Sequence, residues 1–147
     1  MVIKTILLVS LYIVPITIVI TGVASTTLQL FGCYLLSAFG MAGVGMGVMH
    51  DAIHGSYSKN KKVNTWIGYT LDMVGASSMV WHLQHNVLHH SYTNIDEHDD
   101  DINAPFFLRF SPNAEKNKLH KYQHLYAWFF YSLSTLSWVT AKDFIRF

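Results

Sequence analysis

The residues best suited to chemistry lie in the middle of this sequence, in the stretch VWHLQHNVLHHSYTNIDEHDDD from Val80 to Asp101. It contains five histidines and ends in a run of carboxylates, and this density of both groups is typical of metal binding or proton transfer. A shorter motif, HDAIH at residues 50–54, precedes it. We expect the two histidine clusters to meet around a metal centre at the mouth of a membrane helix bundle.

The HDAIH motif places two imidazoles at helical spacing. His50 and His54 are four residues apart, which puts them within about 40° of each other on one face of a helix. Two imidazoles in this arrangement can bind one metal ion or two adjacent ions. Asp51 points away from that face, and we expect its carboxylate to accept a hydrogen bond from the second ring nitrogen of a ligand.

The longer cluster carries the pattern H-x-x-x-H-H. His85 and His89 share a helix face, and His90 lies about 100° further round the axis. Adjacent histidines are costly to bury without a partner, so the pattern favours metal ligation by all three residues over a satisfied apolar core. His82, three residues before His85, is a secondary candidate ligand on the same stripe.

The carboxylates after these histidines are better explained as supporting groups than as a calcium site, because the D-x-[DN]-x-[DN]-G calcium pattern is missing. Asp99, Asp101 and Asn86 are therefore predicted to orient the histidine ligands through hydrogen bonds to the ring nitrogen that does not bind the metal. His124, in the later motif HKYQH, is a further secondary metal candidate. We prefer to interpret this motif as lying at the membrane interface, next to the apolar segment that follows it.

The overall composition indicates a chain that is surrounded partly by lipid as well as by water. Of its 147 residues, 51% are hydrophobic and 13% are charged, whereas about one quarter of residues are charged in soluble domains. The formal net charge of +1 gives no reason to expect nucleic acid as a partner. The single cysteine, Cys33, lies within an apolar run, which excludes an internal disulfide and favours a packing role.

The chain begins with an apolar run long enough for two membrane helices. Lys4 is the one charged residue before Asp51, and about 20 residues are needed for each span. We place the spans at residues 5–23 and 30–49, and a third candidate span at residues 125–141. The second span contains a GxxxG pattern, which allows close helix packing in lipid.

Lysines flank the two spans and set the predicted orientation. Lys4 precedes the first span, and Lys59, Lys61 and Lys62 follow the second, so the positive-inside rule places both of these ends in the cytoplasm. The predicted fold is an all-α, multi-pass membrane helix bundle that forms a single partial domain. Its histidine-rich helices, in the region of residues 50–124, are expected to face the cytoplasm.

Together, HDAIH, HNVLHHSYTNIDEHDDDI and HKYQHLYAW resemble the histidine boxes and their surroundings in the membrane fatty acid desaturases. Within that family the sequence is most similar to the front-end acyl-lipid and acyl-CoA desaturases, particularly bacterial ones. The resemblance runs from about Gly40 to the end of the chain. It implies five metal ligands in two histidine boxes: His50 and His54, then His85, His89 and His90.

The resemblance also implies a chemistry. In the family, histidine boxes hold two non-haem irons, and the centre uses dioxygen to remove hydrogens from an unactivated acyl chain. The implied substrate is an acyl lipid or acyl-CoA, and the implied electron donor is a separate protein such as ferredoxin or a b-type cytochrome. The implied location is a lipid membrane, the bacterial inner membrane rather than the endoplasmic reticulum.

One family feature is missing from this sequence. The third histidine box, [HQ]-x-x-H-H, does not occur, and no histidine follows His124. We therefore expect the chain to be the N-terminal part of a desaturase. Because five ligands are too few for the di-iron centre of the family, we expect the chain to be inactive alone.

Three other functions are open at this point. A membrane di-iron hydroxylase or ketolase would use the same kind of site, although Asn86, Tyr92, Asn94 and Asp99 resemble the desaturase pattern. A membrane zinc protease would use HDAIH in place of HExxH. In that case Asp is one methylene shorter than the general base Glu, and the second cluster has no role. The third alternative is a non-enzymatic membrane protein that binds metal through its histidines.

Overall fold

A computed structural model describes residues 1–99, 101–137, 140 and 141 of the chain. Helices and connecting loops make up this described part, and no β-strand occurs within it. The all-α class predicted from the sequence is confirmed for these residues. The chain divides into two compact units, Met1–Val74 and Gly75–Phe147.

The first unit begins with two long helices, and shorter helical segments follow. Its elements, in chain order, are α1 (Val2–Ile20), α2 (Thr27–Val44), a π-helical turn (Gly45–Met49), α3 (His50–Ile53), α4 (Lys61–Gly68) and α5 (Thr70–Met73). Because α2, the π-helical turn and α3 are continuous, the second long helix runs from Thr27 to Ile53. Among the described residues, α1 and this continuous helix are long and apolar enough to cross a membrane.

These two helices correspond to the two spans predicted from the sequence, with shifted boundaries. The first helix ends at Ile20 instead of residue 23, because Gly22 follows in a left-handed conformation with φ of +73°. The second helix begins at Thr27 instead of residue 30, because Thr26 and Gln29 form a capping box. The Thr26 hydroxyl accepts from the Gln29 N–H at 3.3 Å, and the Gln29 side chain accepts from the Thr26 N–H at 3.1 Å.

Small residues allow α1 and α2 to approach closely. A Cβ atom on Gly40 would overlap the backbone of Tyr12, and one on Gly43 would lie 2.5 Å from the Leu8 side chain. The Ser37 hydroxyl donates a 2.8 Å hydrogen bond to the Tyr12 carbonyl. The GxxxG pair of the second span, Gly43 and Gly47, predicted close packing. Gly43 lies at the contact, whereas a Cβ atom on Gly47 would meet nothing closer than 3.6 Å, and the closest approach is at Gly40, outside the pair.

Many apolar side chains of α1 and α2 remain exposed in the first unit. Ile3, Ile20 and Leu28 are 76%, 78% and 79% exposed. Apolar surface of this extent favours contact with lipid or with a protein partner over contact with water.

The second unit places the second histidine cluster on one continuous helical segment. Its elements, in chain order, are α6 (Ser78–Trp81), a π-helix (His82–His89), α7 (His90–Tyr92), a 3₁₀ helix (Lys118–Tyr122) and α8 (Gln123–Ser137). The candidate third span at residues 125–141 falls on α8, but residues 138 and 139 lie outside the described residues. That span therefore stays a prediction.

Candidate metal centre

Both histidine clusters are joined to π-helical backbone. The turn Gly45–Met49 leads directly into His50, and the π-helix His82–His89 contains three histidines of the second cluster. π-Helices are rare and occur frequently at functional sites. The sequence did not predict this feature, because the spacing argument assumes 3.6 residues per turn.

His50 and His54 lie side by side at the end of the second long helix. Their ring centroids are 4.4 Å apart in an edge-to-face arrangement, and both side chains are partly exposed. The helix ends at Ile53, and Gly55 then adopts φ of +74°, a conformation that a residue with a Cβ atom rarely adopts. The chain therefore turns away immediately after the second imidazole.

The buried side chain of Asn64 holds the loop that follows His54. Its amide nitrogen donates hydrogen bonds of 2.9 Å to the carbonyls of both Gly55 and Ser58. Its oxygen accepts a hydrogen bond of 2.8 Å from the Ser58 N–H. Three of the four hydrogen bonds open to this side chain are thus used to fix the loop.

Asp51 contacts a lysine more closely than it contacts a histidine. Lys4 Nζ donates a 2.9 Å hydrogen bond to Asp51 Oδ2, whereas Asp51 Oδ1 lies 3.5 Å from His50 Nδ1. The hydroxyls of Thr5 and Tyr57 are also hydrogen-bonded, at 2.8 Å. Two polar contacts therefore connect the start of α1 to the segment that carries the first cluster. The predicted support of a histidine by Asp51 stays a prediction.

Trp81, His85 and His89 form a ring stack at four-residue intervals along the second helical segment. The Trp81 and His85 rings are 4.4 Å apart with an interplanar angle of 29°, and the His85 and His89 rings are 5.1 Å apart with an angle of 13°. The His90 ring meets both histidines edge-on, at 5.0 Å from His85 and 5.4 Å from His89. The three histidines of the predicted second group are therefore neighbours.

Two carboxylates face this stack from the following loop. His89 Nδ1 donates to both oxygens of Asp99, at 2.9 and 3.1 Å. His85 Nδ1 donates to Asp101 Oδ2 at 3.2 Å, and the same oxygen lies 3.4 Å from His89 Nδ1. A carboxylate on Nδ1 selects the imidazole tautomer whose lone pair is on Nε2, as it does for histidines that bind metals.

The loop is folded around Asp99, which is completely buried. Its oxygens also accept hydrogen bonds from the backbone N–H of Asn94 at 2.8 Å and of Asp101 at 3.0 Å. Asn94 adopts φ of +62°, a left-handed conformation that asparagine tolerates better than most residues. A buried carboxylate requires donors of this number to remain charged.

These contacts shift three ionisation equilibria in the second cluster. Burial lowers the pKa of His85 below its ordinary value. The hydrogen bond with Asp99 raises the pKa of His89. Burial acts to raise the pKa of Asp99, but the hydrogen bonds from Asn94, His89 and Asp101 outweigh it and hold this pKa below its ordinary value. Asp99 is therefore ionised at neutral pH, and His89 is more basic than His85.

Three groups of the second unit lie close enough together to share one cation. The ligand atoms of His85, His89 and Asp101 are all within 4.8 Å of one another. Imidazole and carboxylate are a donor set that fits a first-row transition metal such as iron. Asp101 could itself be a ligand only for a cation on the Nδ1 side of the rings, because its Oδ2 lies 3.2 Å from His85 Nδ1 and 3.4 Å from His89 Nδ1. Asn86 is half-buried on the same π-helix.

The remaining histidines of the two motifs are not members of this group. His82 is exposed at the start of the π-helix, and His124 is exposed near the start of α8. His120 accepts a 3.1 Å hydrogen bond from the Asn117 N–H through Nδ1 and donates one of 3.0 Å from Nε2 to the Phe106 carbonyl. Both ring nitrogens of His120 therefore hold the loop together.

The sequence indicated no role at the clusters for Trp81 or Lys4, and it did not predict what Asn94 does in the loop. Trp81 lies four residues before His85, so helical spacing alone could have placed it on the histidine stripe. Asn94 is a residue type that favours left-handed turns, but its role depends on which carboxylate the loop buries. No sequence signal pairs Lys4 with Asp51, because 47 positions separate them.

Comparison with known proteins identifies the family to which these motifs belong. The sequence profile of the fatty acid desaturase family matches residues 25–147. The chain is 42% identical over 125 residues to the sn-1 linoleoyl-lipid 6-desaturase of Arthrospira platensis, which covers 85% of this chain and 34% of that protein. The protein of the same name from Synechocystis sp. is 40% identical over 110 residues, 75% of this chain and 30% of that protein.

A third relative gives the same result. The acyl-lipid (8-3)-desaturase of Physcomitrium patens is 38% identical over 115 residues, 77% of this chain and 24% of that protein. The chain thus spans about a third or less of the length of these relatives. No solved structure matches it. Because the family profile covers both histidine motifs, it confirms the resemblance found in them, and the chain belongs to the fatty acid desaturase family.

Proposed function

We propose that this chain contributes the first two histidine boxes of a dioxygen-dependent acyl-lipid desaturase in a membrane. Family membership supports the reaction class, and the names of the relatives support an acyl lipid as the substrate class. The two long apolar helices support a multi-pass membrane position with the histidines at the cytoplasmic face. The observation that carries the proposal is the contact of Asp99 with His89 beside His85.

The proposed ligands are the five histidines of the two boxes: His50, His54, His85, His89 and His90. They would hold two irons together with a third box supplied from outside this chain. Bound there, the irons would pass electrons from ferredoxin or a b-type cytochrome to dioxygen, and this activation would make dioxygen able to oxidise an unactivated C–H bond.

In this proposal the residues around the second box orient its imidazoles. Asp99 keeps the proton of His89 on Nδ1, so that the Nε2 lone pair is available to the metal. The stack of Trp81 on His85 and His89 holds the ring planes, and Trp81 itself is buried, which excludes water from that side. The protein therefore contributes position and tautomer, and the oxidation chemistry belongs to the metal.

The third box is expected to be necessary for activity. A chimera tests this directly: this chain replaces the corresponding region of the Arthrospira platensis relative, in a host that supplies the lipid substrate of that protein. We expect the chimera to form the desaturated lipid and the 147-residue chain alone to form none. The chimera with His89→Ala is expected to lose the product, while His98→Ala, at an exposed histidine of the neighbouring loop, is expected to retain it.

Three outcomes would contradict the proposal. Product from the 147-residue chain alone would show that two boxes suffice. An unchanged product yield in the chimera with His89→Ala would show that the second box is not needed for the metal centre. A folded, iron-loaded chimera that forms a hydroxylated lipid instead would assign the related hydroxylase chemistry.

A further inference from the structure

The second unit contains a cationic cavity that the proposed function does not use. Its volume is about 1010 Å³, and it lies between the loop after the second histidine cluster and the start of α8. Among the described residues, its lining includes no carboxylate. It includes four cations, which we call the cationic shelf: Arg109, Lys116, Lys118 and Lys121.

Hydrogen bonds hold the backbone under the cationic shelf in one arrangement. The Gln123 side chain accepts from the Arg109 N–H at 2.7 Å and donates to the Arg109 carbonyl at 3.1 Å. The Asn117 side chain caps the 3₁₀ helix by accepting from the Leu119 N–H at 2.8 Å, and it donates to the Phe106 carbonyl at 2.7 Å. Because this frame is fixed before any ligand arrives, binding requires less ordering of the loop.

The positive charge of the cationic shelf is not neutralised within the described part of the chain. No salt bridge there joins a shelf residue to a carboxylate. The Arg109 guanidinium donates to the carbonyls of Pro112 and Ala114, which are neutral. Glu115 is the one acidic residue between positions 106 and 123. An unneutralised cluster of this kind attracts an anion.

Exposed apolar side chains near the cationic shelf indicate which anion fits. Phe106 is 77% exposed, Leu125 is 69% exposed and Trp128 is 73% exposed. Lysines beside exposed aromatic and aliphatic side chains are typical of segments that lie at the surface of a bilayer. There the cations reach lipid phosphates while the apolar side chains enter the acyl boundary. An acidic protein or a nucleic acid would account for the charge but not for these three side chains.

We propose that the cationic shelf binds the phosphate of an anionic phospholipid in the surrounding bilayer. Lys116, Lys118 and Lys121 would contact the headgroup, and Phe106 and Trp128 would lie at the acyl boundary. The bound lipid anchors the second unit to the membrane surface and is not the substrate, so the inference rests on the proposed membrane position and not on the proposed desaturation. Free phosphate offers the same chemistry as the headgroup, and the test separates the two sources.

The test measures which lipid remains on the purified chain. The chain is reconstituted in nanodiscs with equal amounts of phosphatidylglycerol and phosphatidylcholine, and the retained lipids are counted by native mass spectrometry after release into detergent. The shelf variant carries Lys116→Gln, Lys118→Gln and Lys121→Gln. We expect the unmodified chain to retain phosphatidylglycerol preferentially and the shelf variant to retain it at least about tenfold less.

A matched control removes the same charge from the first unit. Lys59, Lys61 and Lys62 are three exposed lysines at and just before the start of α4. They also follow a predicted span, so their replacement by Gln is expected to lower lipid retention, but several-fold less than the shelf variant does. Replacing the shelf lysines by Arg keeps the charge and is expected to preserve retention. Inorganic phosphate at millimolar concentration is expected not to displace the lipid.

Each opposite result would overturn the proposal. Equal losses in the shelf and control variants would show that retention follows net charge alone. If the chain retained phosphatidylcholine as well as phosphatidylglycerol, the charge of the headgroup would not be what the cationic shelf recognises. Displacement of the lipid by inorganic phosphate would assign the cationic shelf to free phosphate instead of the bilayer.

Discussion

The two histidine clusters of this chain are held in place in different ways. The second cluster is supported locally, because a short loop brings the carboxylates of Asp99 and Asp101 to Nδ1 of His89 and His85. The first cluster is placed by helix packing. The glycine contacts between α1 and α2 set the alignment in which Lys4 reaches Asp51.

This difference separates two kinds of vulnerability. In the second cluster, the supporting groups lie within 16 positions of their histidines, so a single loop substitution should act directly on metal affinity. In the first cluster, the contact to α1 joins residues 47 positions apart. A substitution far from the histidines, at the helix interface, should therefore disturb it through stability.

The largest expected effect is at the interface of α1 and α2. Gly40→Ala would place a Cβ atom against the backbone of Tyr12, which cannot move aside as a flexible side chain would. We expect the free energy of unfolding to fall by up to about 3 kcal/mol. Denaturant unfolding of the purified chain in detergent, followed by circular dichroism, measures this change.

Gly32→Ala is the matched control in the same helix, because a Cβ atom there meets open space. It is expected to be neutral or to stabilise the helix by roughly 0.5–1 kcal/mol. Equal destabilisation by both substitutions would mean that close packing at Gly40 does not set the position of the first cluster.

The next effect in size concerns the buried carboxylate of the second cluster. Asp99→Asn removes the charge that holds the His89 proton and sets an amide N–H against the backbone donors of Asn94 or Asp101. We expect the affinity for ferrous iron to fall about 10–100-fold. Anaerobic calorimetric titration measures it, with Asp96→Asn as a control of equal charge in the same loop. If the two variants lose affinity equally, the loop acts through net charge and not through its contact with His89.

A smaller effect is expected for the ion pair that joins α1 to the first cluster. Lys4 and Asp51 have side chains that are 42% and 27% exposed, and pairs with this access to solvent contribute little. We expect a double-mutant cycle with Lys4→Gln and Asp51→Asn to give a coupling energy below about 1 kcal/mol. A coupling well above that value would show that the first cluster also depends on local charge.

The smallest effect is a difference in titration between two neighbouring imidazoles. The hydrogen bond with Asp99 raises the pKa of His89, and burial lowers that of His85. As the pH of the metal-free chain rises, His85 should therefore lose its proton before His89 does. The stability that the charged His89 contact contributes should be lost only when the pH passes the raised pKa of His89. NMR titration of the histidine ring carbons measures both titration midpoints. Asp99→Asn should lower the titration midpoint of His89. Coincident midpoints would contradict the described hydrogen bonds.

The sequence predicted the elements of the site better than the contacts between them. Helical spacing placed His85 and His89 on one face, and the charge-free run predicted both long helices. It did not predict which loop carboxylate is buried, since that depends on the left-handed turn at Asn94. The π-helical backbone was also missed, because a shift in hydrogen-bond register leaves no mark on residue composition.

The central claim is that His85 and His89, oriented by their carboxylates, form a metal-binding site in this chain. Anaerobic titration of the purified chain with ferrous iron tests it most directly, with bound iron per chain as the readout. We predict that the unmodified chain and the His98→Ala variant bind iron alike, and that His85→Ala with His89→Ala loses iron from the second cluster. Unchanged iron content and affinity in that double variant would contradict the account.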